Sequence, residues 1–330
     1  MMQILIFISW PVKAWSIPDD SVEALRRRFP DIEFVHARSL DEAHAQIIGA
    51  DAAFTPFLTP QMVAPAVSPR LRWVHSPAAA VAGLLPLREL AARTILITNS
   101  RGVQAIPIAE HVMGGLLVLS RKFNRMLGAQ RARRWIQNDL VEDWPWMLHG
   151  KTMTIVGLGT IGIEVAKRAN AFGMKVRGVR RRLDQPRPEF VERIVAPQDL
   201  DDVLPGTDVL VLSAPGVAGT QGMIDAERLA QLNRGAVLVN VARAQIVDHR
   251  AMCDALASGQ LGGAVLDVFE KEPLDESSDL WSMPNVIVTP HSSGFRSTHW
   301  DDVIDMYAAE LERYLREEPL VNVVDPGVGY

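Results

Sequence analysis

The sequence predicts an α/β protein of two doubly wound parallel-sheet domains, one inserted into the other. Three observations predict it. Short apolar segments alternate with helical segments from residue 2 to residue 98, the rhythm of a parallel sheet covered on both faces. A second alternation starts at residue 151, and its first turn carries glycines at 157, 159 and 162. A last helical segment, 300–316, follows the final strand of that second series; returned to the first sheet, it makes the second domain an insertion. The expected division is 1–99 plus 295–330 for one domain and 100–294 for the other.

In the first series, residues 2–8 form an apolar strand and 19–29 a helix, with Asp19 or Asp20 as its cap and a basic last turn. Strand 32–36, helix 40–48, strand 52–55, a helix near 60–67, and strands 72–75 and 95–98 complete it. Residues 106–125 then read as one long helix, apolar nearly all round, of the kind buried between layers, domains or subunits. Residues 130–148, with Arg131, Arg133, Arg134 and tryptophans at 135, 144 and 146, break the pattern and read as an irregular arm.

The second series runs through strands 152–156, 175–179, 208–213, 236–241, 263–268 and 286–289, a six-stranded sheet. Its opening stretch is a strand, a Gly-x-Gly-x-x-Gly turn and a helix, the first unit of a dinucleotide-binding sheet. Gly157 permits the tight turn, Gly159 lets the backbone approach a pyrophosphate, and Gly162 lets helix and strand pack closely. Leu158, Thr160 and Ile161 complete the loop, and the helix start offers unpaired N–H groups to phosphate.

Composition narrows the function classes. At 48% hydrophobic and 22% charged residues, the chain reads as a soluble globular protein. A formal net charge of −5 recruits neither nucleic acid nor an anionic membrane. No apolar run reaches the roughly 18 residues that span a bilayer. The single cysteine, Cys253, has no partner in the chain and suits inert packing in a reducing cytoplasm. No metal site is expected.

Ligands of dinucleotide sheets lie at the carboxyl ends of the strands. That rule selects Arg180, Ala214, Pro215, Asn240, Arg243, Asp267, Glu272 and His291. A guanidinium at Arg243 can grip a carboxylate with two charge-assisted hydrogen bonds. His291 and an acid on the preceding strand could reach one rim, and a carboxylate beside an imidazole favours imidazolium, a proton donor near neutral pH. Asp267, Glu270 and Glu272 all compete for that partner role, and spacing does not choose among them.

From Lys151 onward the glycine turn, Asn240-Val-Ala-Arg243, Leu266-Asp-Val-Phe-Glu-Lys-Glu-Pro-Leu274 and Val288-Thr-Pro-His291 resemble, in order, the signatures of the D-isomer-specific 2-hydroxyacid dehydrogenases. Outside that core, Leu71-Arg-Trp-Val-His-Ser-Pro-Ala-Ala-Ala-Val81 resembles the family's carboxylate-binding loop, and Ile108-Ala-Glu-His-Val112 its interdomain helix. The resemblance implies a Rossmann nucleotide-binding domain inserted into a flavodoxin-like substrate domain. It implies Arg243 as substrate clamp, His291 as acid/base with Glu272 as its partner, and Asp267 near the nicotinamide. It also implies backbone amides of Ala79 and Ala80 as the carboxylate seat, Ala214, Pro215, Thr220, Val241 and Ala242 along the cofactor, and a homodimer through 106–125 and the arm.

Departures from the family pattern sharpen the expectation. Many members carry Gly at the position of Ala80, Asp at that of Ala82 and Gly at that of Ala244, and Leu-Thr in place of Gly216-Val217. An acid is expected at residue 180 to bind the adenosine ribose of NAD; the chain has Arg180-Arg181-Arg182. Carboxylate repels a 2′-phosphate whereas arginine pairs with it, so NADP is favoured over NAD. The expected activity is reduction of a small 2-oxoacid of the glyoxylate or hydroxypyruvate kind, with side-chain selection from Ser9-Trp10, the 75–81 loop and the arm around Trp135. The alternative is a dinucleotide-sensing protein like the corepressors that share this fold, binding cofactor without turnover.

Overall fold

The computed structural model describes residues 1–81, 83–327 and 329. The chain forms two compact units, Met1–Val103 with Arg296–Tyr330, and Gln104–Phe295.

The first unit runs β1 (Met2–Ile6), α1 (Asp19–Arg28), β2 (Ile32–His36), α2 (Leu40–Gln46), β3 (Ala52–Phe54), β4 (Trp73–Ser76), α3 (Leu87–Ala92) and β5 (Leu96–Asn99). The strands pair in parallel in the order β2-β1-β3-β4-β5, the flavodoxin arrangement. Alternate residues of β1 serve opposite cores. Ile4 and Ile6 belong to the core that holds Val22 and Leu25 of α1, whereas Leu5 belongs to the core that holds Ala43, Ile47 and Leu90.

The C-terminal helix His299–Leu315 belongs to this unit. It lays Val303, Ile304, Tyr307, Ala308 and Leu311 on the face holding Phe54 and Trp73. The Tyr307 and Phe54 rings stack with centroids 4.0 Å apart and planes 5° from parallel. The tail is pinned to the same helix by the buried Glu310 carboxylate, which accepts the Val321 and Asn322 N–H groups at 3.1 and 3.3 Å. Thr98 and Val323 form an antiparallel bridge. At the end of β4, the fully buried His75 bonds Thr98 Oγ1 through Nδ1 at 2.7 Å and Ser100 Oγ through Nε2 at 3.1 Å. Burial pushes its pKa down to about 3.

The second unit comprises α4 (Ala105–Ser120), α5 (Phe123–Arg131), α6 (Gln137–Glu142), β6 (Thr152–Val156), α7 (Thr160–Ala171), β7 (Lys175–Val179), β8 (Arg193–Val195), β9 (Val209–Leu212), α8 (Ala226–Gln231), β10 (Ala236–Asn240), α9 (His249–Ala257), β11 (Leu261–Leu266) and β12 (Val286–Val288). Its seven parallel strands are ordered β12-β11-β10-β9-β6-β7-β8, which is the 3-2-1-4-5-6 dinucleotide sheet extended by β12. β6 is buried along its whole length, as a central parallel strand must be. α4 lies against this sheet so closely at Gly115 that a Cβ there would stand 2.6 Å from Val265 Cγ1.

Several expectations are corrected. The second sheet has seven strands, because Arg193–Val195 adds an edge strand beside β7. Residues 60–67 form turns, since Pro65 interrupts any helical ladder there; Met62 and Val63 are nonetheless core residues. The helix expected over 106–125 is two helices, broken at Lys122, whose φ of 60° is left-handed. The arm is partly helical, through α5 and α6, and α3 precedes β5. Pro18 occupies the N-cap of α1, leaving Asp19 and Asp20 in its first turn. Cys253 is half-buried on α9, and burial followed by the Asp254 charge pushes its thiol pKa up, away from thiolate reactivity. Among the described residues no helix is long and apolar enough to cross a membrane.

Candidate active site

The glycine turn joins β6 to α7. Gly157 has φ 99°, and a Cβ on it would meet the Ala214 backbone nitrogen at 2.4 Å. A Cβ on Gly162 would meet Gly157 O at 2.4 Å and Ile155 Cγ2 at 3.1 Å, so helix and strand touch there. Gly159 differs from both: nothing lies within 4 Å of its Cβ position. Open space at that residue, at the head of the 12-residue α7, is a cradle that a pyrophosphate can fill. Thr160, Ile161 and Gly162 stand in the first turn, where N–H groups have no acceptor inside the helix. Leu158 is buried against Gly178, so only its backbone can face a ligand. These residues fit a dinucleotide.

Arg180 follows β7. One of its terminal nitrogens donates to the carbonyls of Gln185 and Pro186, and its buried Nε has no partner among the described residues. The side chain thus braces the basic turn, while Arg181 and Arg182 beside it are exposed.

Arg243 sits just past β10. Asn240 brackets that strand end: its amide nitrogen donates to Arg243 O at 3.0 Å, and its amide oxygen accepts the Ala242 N–H at 3.1 Å. Val241 and Ala242 are buried. After β9, Ala214 is buried, Pro215 exposed, and the Thr220 hydroxyl bonds Pro215 O at 2.8 Å and the Val217 N–H at 3.0 Å, closing the loop on itself.

His291 and Glu272 come together. His291 Nδ1 stands 2.8 Å from Glu272 Oε2, and Glu272 Oε1 accepts the Phe269 N–H at 3.0 Å, so both carboxylate oxygens are committed. His291 has a left-handed φ of 51°, an uncommon conformation for a residue with a Cβ. Asp267 holds it there. Its fully buried carboxylate accepts the Ser292 and Ser293 N–H groups at 2.9 and 3.0 Å and the Thr289 hydroxyl at 2.6 Å. His111 Nε2, on α4, lies 3.1 Å from that hydroxyl. Glu270 lines a separate cavity with Lys271 and His249.

In the first unit, Ala79 and Ala80 are exposed, and Asn99 donates its amide to Ala79 O at 2.7 Å. Ala82 lies outside the described residues.

The model of the D-isomer specific 2-hydroxyacid dehydrogenase NAD binding domain matches residues 113–293. That span covers more than half of the chain. The chain belongs to the D-isomer specific 2-hydroxyacid dehydrogenases, a family of oxidoreductases. It is 32% identical over 256 residues to the glyoxylate reductase of Pyrococcus furiosus, covering 76% of this chain and 75% of that one. A D-isomer specific 2-hydroxyacid dehydrogenase from Xanthobacter autotrophicus Py2, solved with NADPH and MES, superposes with a TM-score of 0.83 at 29% identity, over 100% of this chain and 99% of that one. The NADPH-dependent glyoxylate/hydroxypyruvate reductase of Sinorhizobium meliloti, solved with NADP and sulfate, superposes at 0.80 with 26% identity over the whole of both chains.

Within this dehydrogenase fold, sequence reasoning missed the support of the His291 turn. Thr289 and His111 were visible only as parts of a strand and a helix. Two signals pointed to them: a hydroxyl two residues before His291, and a histidine beside Glu110 on a largely apolar helix.

Proposed function

We propose that this dehydrogenase reduces small unphosphorylated 2-oxoacids, of the glyoxylate or hydroxypyruvate kind, with NADPH. The observation that carries the proposal is the His291–Glu272 pair, 2.8 Å apart at strand ends of the dinucleotide unit. A reduced nicotinamide, when bound, supplies hydride to a 2-oxo carbon.

The chain's own residues do the rest. The open side of Gly159 and the α7 N-terminus hold the pyrophosphate, and Arg180 with Arg181 receives the 2′-phosphate of NADP. Arg243 grips the substrate carboxylate and polarises its 2-oxo group. His291, with Nδ1 engaged by Glu272, presents Nε2 and gives its proton to the substrate oxygen as charge develops there. Asp267 keeps the His291 turn in place beside the nicotinamide. The exposed backbone of Ala79 and Ala80 is assigned as a carboxylate seat. The Sinorhizobium meliloti relative, an NADPH-dependent glyoxylate/hydroxypyruvate reductase solved with NADP and sulfate, supports this choice of cofactor and substrate class.

We also propose a homodimer. Phe123, Leu127, Trp135, Val141, Trp144 and Met147, on and around α5 and α6, are exposed apolar side chains that a second copy would cover. A cytoplasmic location suits the single unpaired cysteine.

A panel of 2-oxoacids assayed with NADPH and with NADH tests the activity. Turnover of glyoxylate or hydroxypyruvate, with higher kcat/KM for NADPH, is expected. Cofactor binding without turnover of any 2-oxoacid would replace the enzyme with the sensor. Light scattering at micromolar concentration tests the dimer, and a monomeric mass refutes it.

A further inference from the structure

Gly216 and Arg243 lie on different turns but occupy the same space. Gly216 belongs to the turn after β9, Arg243 to the turn after β10. A Cβ built on Gly216 would stand 2.5 Å from Arg243 Cγ, 2.9 Å from its Cβ and 3.7 Å from its Cδ. Carbon atoms in comfortable contact are about 3.5–4.0 Å apart. The atoms met are the root of the arginine, so swinging the guanidinium gives no relief; a change of χ1 moves Cγ but not Cβ, so the arginine backbone must shift as well.

Neither backbone is free to yield instead. Asn240 bonds the Ala242 N–H and Arg243 O on one side, and Arg243 Nη1 donates to Ala242 O at 2.6 Å. On the other side Thr220 ties Pro215 O and the Val217 N–H together across Gly216. Two stiffened turns thus face each other with one stem between them.

We infer that Gly216 is a positioning residue: its missing side chain is the slot in which the Arg243 stem lies, and that slot sets where the guanidinium meets a 2-oxoacid carboxylate. This rests on Arg243 being the substrate clamp. A side chain at 216 would therefore act on substrate through Arg243.

A four-protein cycle tests it, using the unmodified enzyme, Gly216→Ala, Arg243→Gly and the double variant, with kcat and KM for glyoxylate and the Kd for NADPH measured on each. Gly216→Ala is expected to lower kcat/KM by about tenfold or more, the penalty of a displaced positioning group, with the NADPH Kd within about twofold. The double variant is expected to match Arg243→Gly alone, because coupled residues do not add and removal of Cβ and Cγ removes the 2.9 and 2.5 Å contacts. If Gly216→Ala folds poorly, Arg243→Gly restores folding in the double variant; a double variant that stays unfolded where Arg243→Gly alone folds overturns the inference. So does a Gly216→Ala enzyme within about threefold of the unmodified one, or losses that multiply in the double variant. An Arg243→Gly enzyme within about threefold of the unmodified one instead removes the clamp reading, and the inference with it.

Discussion

Thr289 donates its hydroxyl to the Asp267 carboxylate across 2.6 Å, two residues before His291. With the Ser292 and Ser293 N–H groups on the same carboxylate, three bonds close over a residue in a left-handed conformation. Asp267→Asn keeps the shape but turns an amide NH2 toward at least one of those donors. We expect a stability loss of about 1–3 kcal/mol in urea unfolding, the penalty of a buried group left without its partner. A change under about 0.5 kcal/mol would show that the carboxylate does not hold the turn.

His291→Ala should lower kcat by roughly 10² to 10⁴, the range for a positioned acid or base. Glu272→Gln, which keeps a hydrogen-bonding oxygen without the charge, should fall between that variant and the unmodified enzyme. A loss below about tenfold in His291→Ala at its best pH would take His291 out of the proton-transfer role.

Arg243→Lys keeps the positive charge and loses the planar fork. The expected result is a kcat/KM for glyoxylate lowered by about tenfold or more with NADPH affinity retained. Unchanged kcat/KM would contradict the clamp.

Arg180→Asp should move cofactor preference toward NADH, since it places a carboxylate where a 2′-phosphate would sit and releases the brace on Gln185 and Pro186. The ratio of kcat/KM for the two cofactors measures this. An unmodified enzyme that already prefers NADH would sink the NADP assignment.

His75 links stability to pH. Folded, it holds its pKa near 3; unfolded, near the ordinary value of about 6.5. Between those values only the unfolded chain takes up the proton, so His75 removes no stability above pH 6.5. Below that pH it removes up to about 1.4 kcal/mol per pH unit. His75→Gln, which can bond Thr98 and Ser100 without titrating, should flatten the loss of urea stability from pH 7 to pH 4.5. An equally steep loss would place acid sensitivity elsewhere.

Much of this architecture was legible because periodicity and glycine chemistry are local. The alternation in β1 reports two covered faces, and Gly162 can be read as a contact because only hydrogen fits beside Gly157 O. The three residues of β8 carry one buried side chain, too little pattern to betray an edge strand. Residues 60–67 carry core side chains on turns, which imitate a helical period. Lys122 ends α4 with a left-handed φ that lysine rarely adopts and no composition announces. At the site, strand ends nominated Arg243, Glu272 and His291. Their supports come from near and far in sequence: Phe269 is three residues from Glu272, whereas His111 is 178 residues from Thr289. In the sequence Gly216 is only a departure from the family's Leu-Thr, because its contact with Arg243 exists only after β9 and β10 are side by side.

The Tyr307 stack on Phe54 has a consequence for the order of events at the ribosome. Phe54 and Trp73 precede the seven-stranded unit in the chain, yet the helix that covers them is made only after that entire unit. A nascent chain that has released residues 1–295 can finish its second sheet while the first still shows bare aromatic surface. Its vulnerable interval lasts until residues 299–315 are made, so a ribosome stalled before residue 299 leaves a product fit for chaperone capture or degradation.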